Sequence, residues 1–456
     1  MDVSSRPVSA PIPPVVPVAP PPASPSRSDD YSFTGRRLGP AFYLDLSVFW
    51  FASSFLWSGL ITFVIQGIVQ KIDPARKDLN LGLTLALGAL VSTIVCYYIG
   101  AHSDRARFPL AMRLGRRRPY ILFGTLGTIP FLIALPWAHA LLPLVLVVVG
   151  IQFFTNIATA PYQAFIPDLV PKARQGAASA WMGLAALLGT SVGVVAYSLL
   201  IKRPGGLLLA MLVVSGITLA TMAWTLVRVR EVPPEPAQVL EAQAAFDWHE
   251  AWRENPSFFW LIGSRFFINL GFYTATEFLS YYFGDTLGAK DPGAEVMRFS
   301  LIAVAMGLLG NFPAGWASDR ISKKVVVWVS LGLTGVASLG FLMAHTISLA
   351  MIAAIFFGIG WGAFQAVDWA LATNLLPPRD EARWMGIWHG AFTVPQVVAP
   401  VVGGVVAYHV NLALGKGVGY RATLALVLLY LAIGALLISP IREQALHETA
   451  EEGDQP

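Results

Sequence analysis

The chain has 456 residues, of which 55% are apolar and 13% charged, with 14 Trp, 27 Phe, a mean hydropathy of +0.61 and a net charge of +4. Soluble domains carry about 25% charge, so these values exclude a water-soluble globular protein and make the bilayer the solvent to reason with. The single cysteine, Cys96, excludes an internal disulfide and a thiolate metal cluster, and no Cys/His spacing suits a metal ion.

Residues 1–38 hold nine prolines and several acidic residues but no continuous apolar stretch. That is the wrong composition for a signal peptide, and a disordered cytoplasmic tail is expected instead. A membrane-spanning helix needs roughly 20 mainly apolar residues. The chain offers about twelve such stretches, near 42–69, 80–101, 119–138, 142–163, 176–200, 205–227, 257–283, 297–317, 324–344, 347–372, 385–409 and 418–439. The fold class is therefore an all-α integral membrane protein.

Between the second and third stretches, Gly100 to Tyr120 carries six arginines. With both termini cytoplasmic, the inner segments hold 21 of the 31 Lys and Arg, the outer loops 9, and Arg265 lies within a helix. Short basic loops stay on the cytoplasmic side, so this run anchors a cytoplasmic loop and is not a nucleic-acid patch. Gly189-TSV-Gly193 matches a nucleophile-elbow pattern, but it sits inside a spanning helix with no preceding strand. Small residues there suit close helix contact. No phosphate-binding loop is present either, so neither an enzyme nor an ATP-driven machine is expected, and no cofactor.

The longest polar interruption follows the sixth stretch. It divides the chain into a six-helix bundle over 39–228, a cytoplasmic linker over 229–256, a second six-helix bundle over 257–440 and a cytoplasmic tail over 441–456. The halves echo each other. Gly100-xxx-Asp104-Arg105 recurs as Gly315-xxx-Asp319-Arg320. Asp168-Leu169-Val170-Pro171 followed by Trp181-Met182-Gly183 recurs as Asn374-Leu375-Leu376-Pro377 followed by Trp384-Met385-Gly386.

A spanning helix hides polar groups only where they meet a cavity or a partner. The seventh stretch carries Arg265, Asn269, Tyr273, Glu277 and Tyr281 at four-residue steps, one narrow stripe on an apolar helix. The fourth carries Gln152, Asn156, Thr159 and Gln163, the tenth Trp361, Gln365 and Asp368, the first Ser54, Ser58, Thr62 and Gln66, and the eleventh His389, Thr393 and Gln396. Hydrogen bonding between helices is the alternative use for each stripe. Arg265 and Asp368 fall at similar depth on the seventh and tenth stretches, at about 1.5 Å of rise per residue. A buried guanidinium needs a partner, so the two are expected to pair. Glu277 has no cation beside it on its stripe and is the first candidate for proton coupling, with Asp368 second.

Twelve spans, a central linker and the repeated Gly-xxx-Asp-Arg with its basic run resemble the major facilitator superfamily over about residues 40–440. Within it, SDR...LGRRRPY over 103–120 and NIATAPYQAFIPDL over 156–169 resemble the sucrose symporter branch of the glycoside-pentoside-hexuronide type. Gln163 stands where those carriers place a sugar-binding arginine, and Gln152 where they place a proton-coupling aspartate, so the exact substrate and coupling residue do not transfer.

The resemblance implies two pseudo-symmetric bundles, a cavity lined by the first, fourth, seventh and tenth helices, and a cytoplasmic gate. Gate residues would be Asp104 against helix termini of the other half, Arg105 with Asp168, and Asp319 with Arg320, the latter reaching a carbonyl near Asn374. Amides, hydroxyls and aromatic faces suit a neutral sugar. The expected substrate site is Gln66, Gln152, Asn156, Gln163, Asn269, Tyr273, Trp361 and Gln365. The expectation is a monomeric, multi-pass cell-membrane transporter moving a sugar or glycoside with protons by alternating access. A facilitator or exporter of another amphipathic solute, and a transport-inactive receptor or sensor, are the alternatives.

Overall fold

The computed structural model describes residues 30–104, 106, 108–171, 174–231, 248–318, 320–375 and 381–441; at 101, 104, 167, 176, 248, 250, 251, 369, 370, 372–374, 381–386 and 389 only the helical backbone is described. Twelve long helices follow one another: α1 Pro40–Ile72, α2 Lys77–Asp104, α3 Arg118–Ala134, α4 Leu141–Gln163, α5 Gln175–Leu200, α6 Gly206–Arg228, α7 Pro256–Glu277, α8 Pro292–Ser318, α9 Lys323–Met343, α10 Ile347–Leu375, α11 Glu381–Leu414 and α12 Val418–Ile438. Eleven are long and apolar enough to cross a membrane. The other is α7, whose composition carries Arg265, Asn269 and Glu277 in 22 residues.

Helix starts follow local chemistry. Proline opens α1, α7 and α8 in the first turn, where its missing N–H costs nothing. Gly205 before α6 and Gly417 before α12 take left-handed φ values of 65° and 93°, a conformation open to glycine without steric penalty. Residues 30–38, assigned by composition to a disordered tail, instead fold back on the first half. Tyr31 bridges Arg37, Phe33 N–H donates to the Leu169 carbonyl, and Arg36 pairs with buried Asp45 at 2.8 Å. Paired polar groups of this kind offset the entropy of ordering the segment.

The duplication is visible in packing. In the first half α1 packs on α5 and α6, α4 on α2 and α3, α6 on α3 and α5; in the second, α7 packs on α11 and α12, α10 on α8 and α9, α12 on α9 and α11. Adding six to each helix number turns the first set into the second. The halves meet through α2 on α11 and α5 on α8, a pair of contacts that the same operation exchanges. Glycine permits two of these approaches. A Cβ on Gly189 would lie 2.2 Å from the Phe51 carbonyl oxygen, and one on Gly82 would lie 2.2 Å from that of Pro400. The first is the small-residue contact expected from the sequence of α5.

Two π turns interrupt the helices that begin each half. One spans Leu60–Ile65 inside α1, and the other, Tyr282–Thr286, follows the short helix Leu279–Tyr281 at the end of α7. Such turns re-aim the residues beside them.

Candidate functional site between the two halves

The hairpins at 73–76, 287–291 and 415–417 lie at one end of the bundle, here the distal face; Asp30, the segment 108–117 and the Trp248–Glu254 helix lie at the other, the terminal face. Contacts between the halves gather at the distal face. Gln66, only 1% exposed and directly after the α1 π turn, donates its side-chain N–H to the Glu277 carbonyl at 2.5 Å, and the Tyr281 hydroxyl donates back to the Gln66 carbonyl at 2.8 Å. Lys77 forms an ion pair with Asp285, inside the other π turn, and sits 4.2 Å over the Tyr281 ring. The Tyr420 hydroxyl donates to Asp78 at 2.6 Å, while Asn411 donates to the second Asp78 oxygen at 3.1 Å. Lys416 adds a further cation 3.0 Å from Asp285, and Lys202 pairs with Asp291. The Lys202 hydrogen bond holds the Asp291 carboxyl below the usual range. Gln66 is thus a clamp between halves in this state. None of these ion-pair partners stands out in the sequence, because each pairs across 80 residues or more.

The α7 stripe continues inward from this clamp. Glu277 is buried, and its Oε2 has no hydrogen-bond partner among the described residues. Tyr273 meets the Phe392 ring edge-on at 5.8 Å, and Asn269 donates to the Arg265 carbonyl at 2.8 Å while its own side-chain oxygen has no described partner. Arg265 Nη1 lies 2.5 Å from Asp368 Oδ2, with side chains 7% and 5% exposed, and its guanidinium lies 3.3 Å from the Trp388 ring centroid. These are the two charges that equal depth brings together, wrapped by α11 aromatics that the polar pattern does not mark. That pattern marks His389, Thr393 and Gln396 on α11; Trp388 and Phe392 sit one residue before the first two, at the same four-residue step. The side chain of His389 lies outside the described residues.

On α10, Trp361 stacks on Phe272 of α7 with centroids 3.8 Å apart and planes 14° apart. Gln365 is exposed. At 100° per residue it stands about 140° around α10 from the exposed apolar residue Ile352, on the side away from that residue. The α4 stripe is used differently. Asn156 donates to the backbone and side-chain oxygens of Gln152 at 2.7 and 3.1 Å, and accepts from the Cys96 thiol at 3.1 Å. A Cβ on Gly88 would meet Gln152 at 3.1 Å. Gln152 and Asn156 thus join α4 to α2, the helix-packing use of such residues, while Gln163 is exposed at the terminal end.

At the terminal face, Asp168 pairs with Arg116 at 2.9 Å and with Arg117. The α3 start, fixed by proline, brings these later arginines to the end of α4, where Arg105 is the expected partner. Arg105 and Asp319 lie outside the described residues, as does the side chain of Asp104. Among the described residues Arg320 has its partners at the end of α8, and the expected acceptor near Asn374 borders residues outside them. Arg320 stacks over Trp316 at 3.7 Å and donates to the Trp316 carbonyl at 3.3 Å, because its own helix supplies the nearest ring and acceptor. Glu231, after α6, accepts the backbone N–H of Arg117 at 3.0 Å and of Arg118 at 2.8 Å, capping the α3 N-terminus. Burial nevertheless pushes the Glu231 carboxyl above its ordinary range.

Taken together, the geometry closes the distal end and lines the interior of the second half with aromatic rings, amides, one ion pair and one further carboxylate. Among the described residues no group of three or more His, Cys, Asp or Glu could hold a metal.

Comparison with known proteins agrees with the architecture. A family model described as Major Facilitator Superfamily matches residues 108–309 and 293–456. The fujikurins efflux protein of Gibberella fujikuroi is 28% identical over 249 residues, covering 52% of this chain and 50% of that protein. The quinolone resistance protein NorA of Staphylococcus aureus is 25% identical over 154 residues, 34% of this chain and 39% of its own. The chain thus spans about half or less of these relatives. A bacterial homolog of the human lysosomal transporter Spinster, solved inward-facing and unoccupied, superposes with a TM-score of 0.69 at 15% identity, over 87% of this chain and 95% of its own. A point mutant of the nucleoside transporter NupG gives 0.66 at 12%, over 88% and 100%. At such identities the likeness is one of fold.

Proposed function

The chain belongs to the major facilitator superfamily of membrane transporters, and from that premise we propose that it moves a sugar or glycoside together with protons by alternating access. One observation carries the reading. Glu277, a buried carboxylate whose Oε2 has no partner among the described residues, is also the residue whose carbonyl receives the Gln66 clamp from the other half. A change of charge on that residue acts directly on the contact that must break for the distal face to open.

In this reading the terminal face is cytoplasmic, both termini with it, and the described state is open inward. Arg265 and Asp368 hold α7 to α10 and keep each other's charge. Tyr273, Trp361 and Gln365 face the solute: an aromatic face covers the apolar side of a sugar ring, and an amide both donates to and accepts from its hydroxyls. Proton entry at Glu277 from the distal side neutralises it while the solute binds; its release inward resets the carrier. The test is uptake of a labelled disaccharide and glycoside panel into vesicles, with and without an imposed pH gradient.

A second reading is favoured by the sequence likeness to two efflux proteins: export of another amphipathic solute in exchange for protons. The aromatic lining would serve an apolar solute equally. Accumulation with the gradient supports symport, expulsion supports export, and binding without flux supports a sensor.

A further inference from the structure

The terminal ends of α3 and α6 enclose a groove of about 450 Å³ that plays no part in the transport reading. Its walls include Met112, Arg113, Arg118, Val227, Arg230 and Glu231. Three guanidinium groups therefore surround one space with a single carboxylate. That carboxylate is already engaged by the backbone N–H groups of Arg117 and Arg118. Arg113 and Arg230 make no hydrogen bond or ion pair among the described residues. Arg118 spends one N–H on the Leu114 carbonyl at 2.8 Å, and its buried Nε has no acceptor among the described residues. Guanidinium N–H groups of this kind that face a groove hold an anion through charge-assisted hydrogen bonds.

The depth of the groove identifies the anion. Arg118 is the first residue of one candidate membrane span and Arg228 the last of another, so the groove sits where spanning helices leave the hydrocarbon. Its apolar side is open: Val227 is 73% exposed and Met112 60%. Trp224, one turn deeper on α6, is 46% exposed, as expected of an indole at the headgroup level. A soluble phosphate would have no use for that apolar flank, whereas a lipid has both a charged head and chains to lay along α6.

We propose that this groove binds the phosphate headgroup of an anionic phospholipid, with Arg113, Arg118 and Arg230 holding the phosphate and Val227 and Met112 contacting the chains. Lipid recognition by basic pockets at helix ends follows from the same charge and depth. The site fixes a lipid between α3 and α6 of the first half.

The full chain in neutral detergent is titrated with phosphatidylglycerol and, separately, phosphatidylcholine, and bound lipid is counted by native mass spectrometry. Phosphatidylglycerol is expected to bind about tenfold or more tightly than phosphatidylcholine. The double variant Arg113→Gln/Arg230→Gln should lose about tenfold in phosphatidylglycerol affinity, and Arg113→Lys/Arg230→Lys should keep most of it. Arg203→Gln, on the distal face, should bind as the parent does. Melting temperatures without lipid identify any variant that is misfolded, and Val227→Asp then supplies a second probe, expected to weaken binding by repelling the headgroup. Equal binding of the two lipids, or equal losses in Arg203→Gln and the double variant, would overturn the proposal. So would full competition by millimolar inorganic phosphate, which would make the site one for a soluble anion.

Discussion

Lys77 of α2 and Asp285 of the second π turn form an ion pair across the two halves, each side chain only 8% exposed. Lys416, the rings of Tyr281 and Tyr420, and the Asp78 carboxylate held by the Tyr420 hydroxyl surround that pair. Asp285→Asn would remove the buried carboxylate that pairs with Lys77 across the halves. Breaking one side of a buried pair costs about 3–5 kcal/mol, which favours the distally open state by about a hundredfold or more. In a Cys96→Ser background, a cysteine introduced by Thr62→Cys, just before the Gln66 clamp, should label faster from the distal side in Asp285→Asn. An unchanged rate would mean that the pair does not hold the gate.

The Arg265–Asp368 contact separates stability from function. Asp368→Asn should lower stability by about 3–5 kcal/mol because the guanidinium is left buried and unpaired. Replacing both, as Arg265→Met/Asp368→Leu, should recover most of that loss, since well-packed apolar pairs substitute for buried ion pairs at little cost. Transport should remain absent in the double variant. Thermal unfolding together with vesicle uptake checks both halves of the expectation; full transport by the double variant would reduce the pair to packing.

Glu231 gives a pH dependence opposite to that of a surface carboxylate. Its folded-state pKa is raised by burial, so its contribution to stability is fully present below the unfolded value near about 4.3 and is lost as pH rises through the folded value. Glu231→Gln, neutral throughout and still able to accept from the Arg117 and Arg118 N–H groups, should flatten that part of the curve. The comparison is the melting temperature of parent and variant from about pH 5 to 8. Parallel curves would show that burial of Glu231 is not felt.

Two amides that look alike in the sequence should part in their effects. Gln365→Ala should weaken solute binding by about 1–3 kcal/mol by leaving a hydroxyl unpaired, with little change in stability. Asn156→Ala should instead lower stability, because it removes the link among Gln152, Cys96 and α2. Binding isotherms and melting temperatures on the same two preparations decide this. Loss of binding in Asn156→Ala alone would return α4 to the solute.

What could be read in advance follows the range of each interaction. Span lengths and the duplicated motifs are local patterns, and the twelve helices and their six-plus-six pairing follow from them. Arg265 and Asp368 could be matched because helix rise converts residue number into depth. The distal clamp could not, since Gln66 and Glu277, or Asp78 and Tyr420, are joined only once two bundles dock, and π turns shift residues off the four-residue count. The same limit applies to Asn156: spacing shows that a stripe is polar, but the contacts with Gln152 and Cys96 emerge only once α4 and α2 pack. Glu231 was hidden for a simpler reason, as a cap supplied from 113 residues further along the chain.

Whether the buried carboxylate at the clamp ties proton movement to solute movement is tested most directly by reconstituting the parent and Glu277→Gln and measuring two fluxes of one sugar or glycoside. Both should exchange solute between equal pools, because the variant mimics the protonated carboxyl. Only the parent should concentrate solute when a pH gradient is imposed. Accumulation by Glu277→Gln equal to that of the parent would contradict the assignment, and expulsion by the parent in place of uptake would replace symport with export.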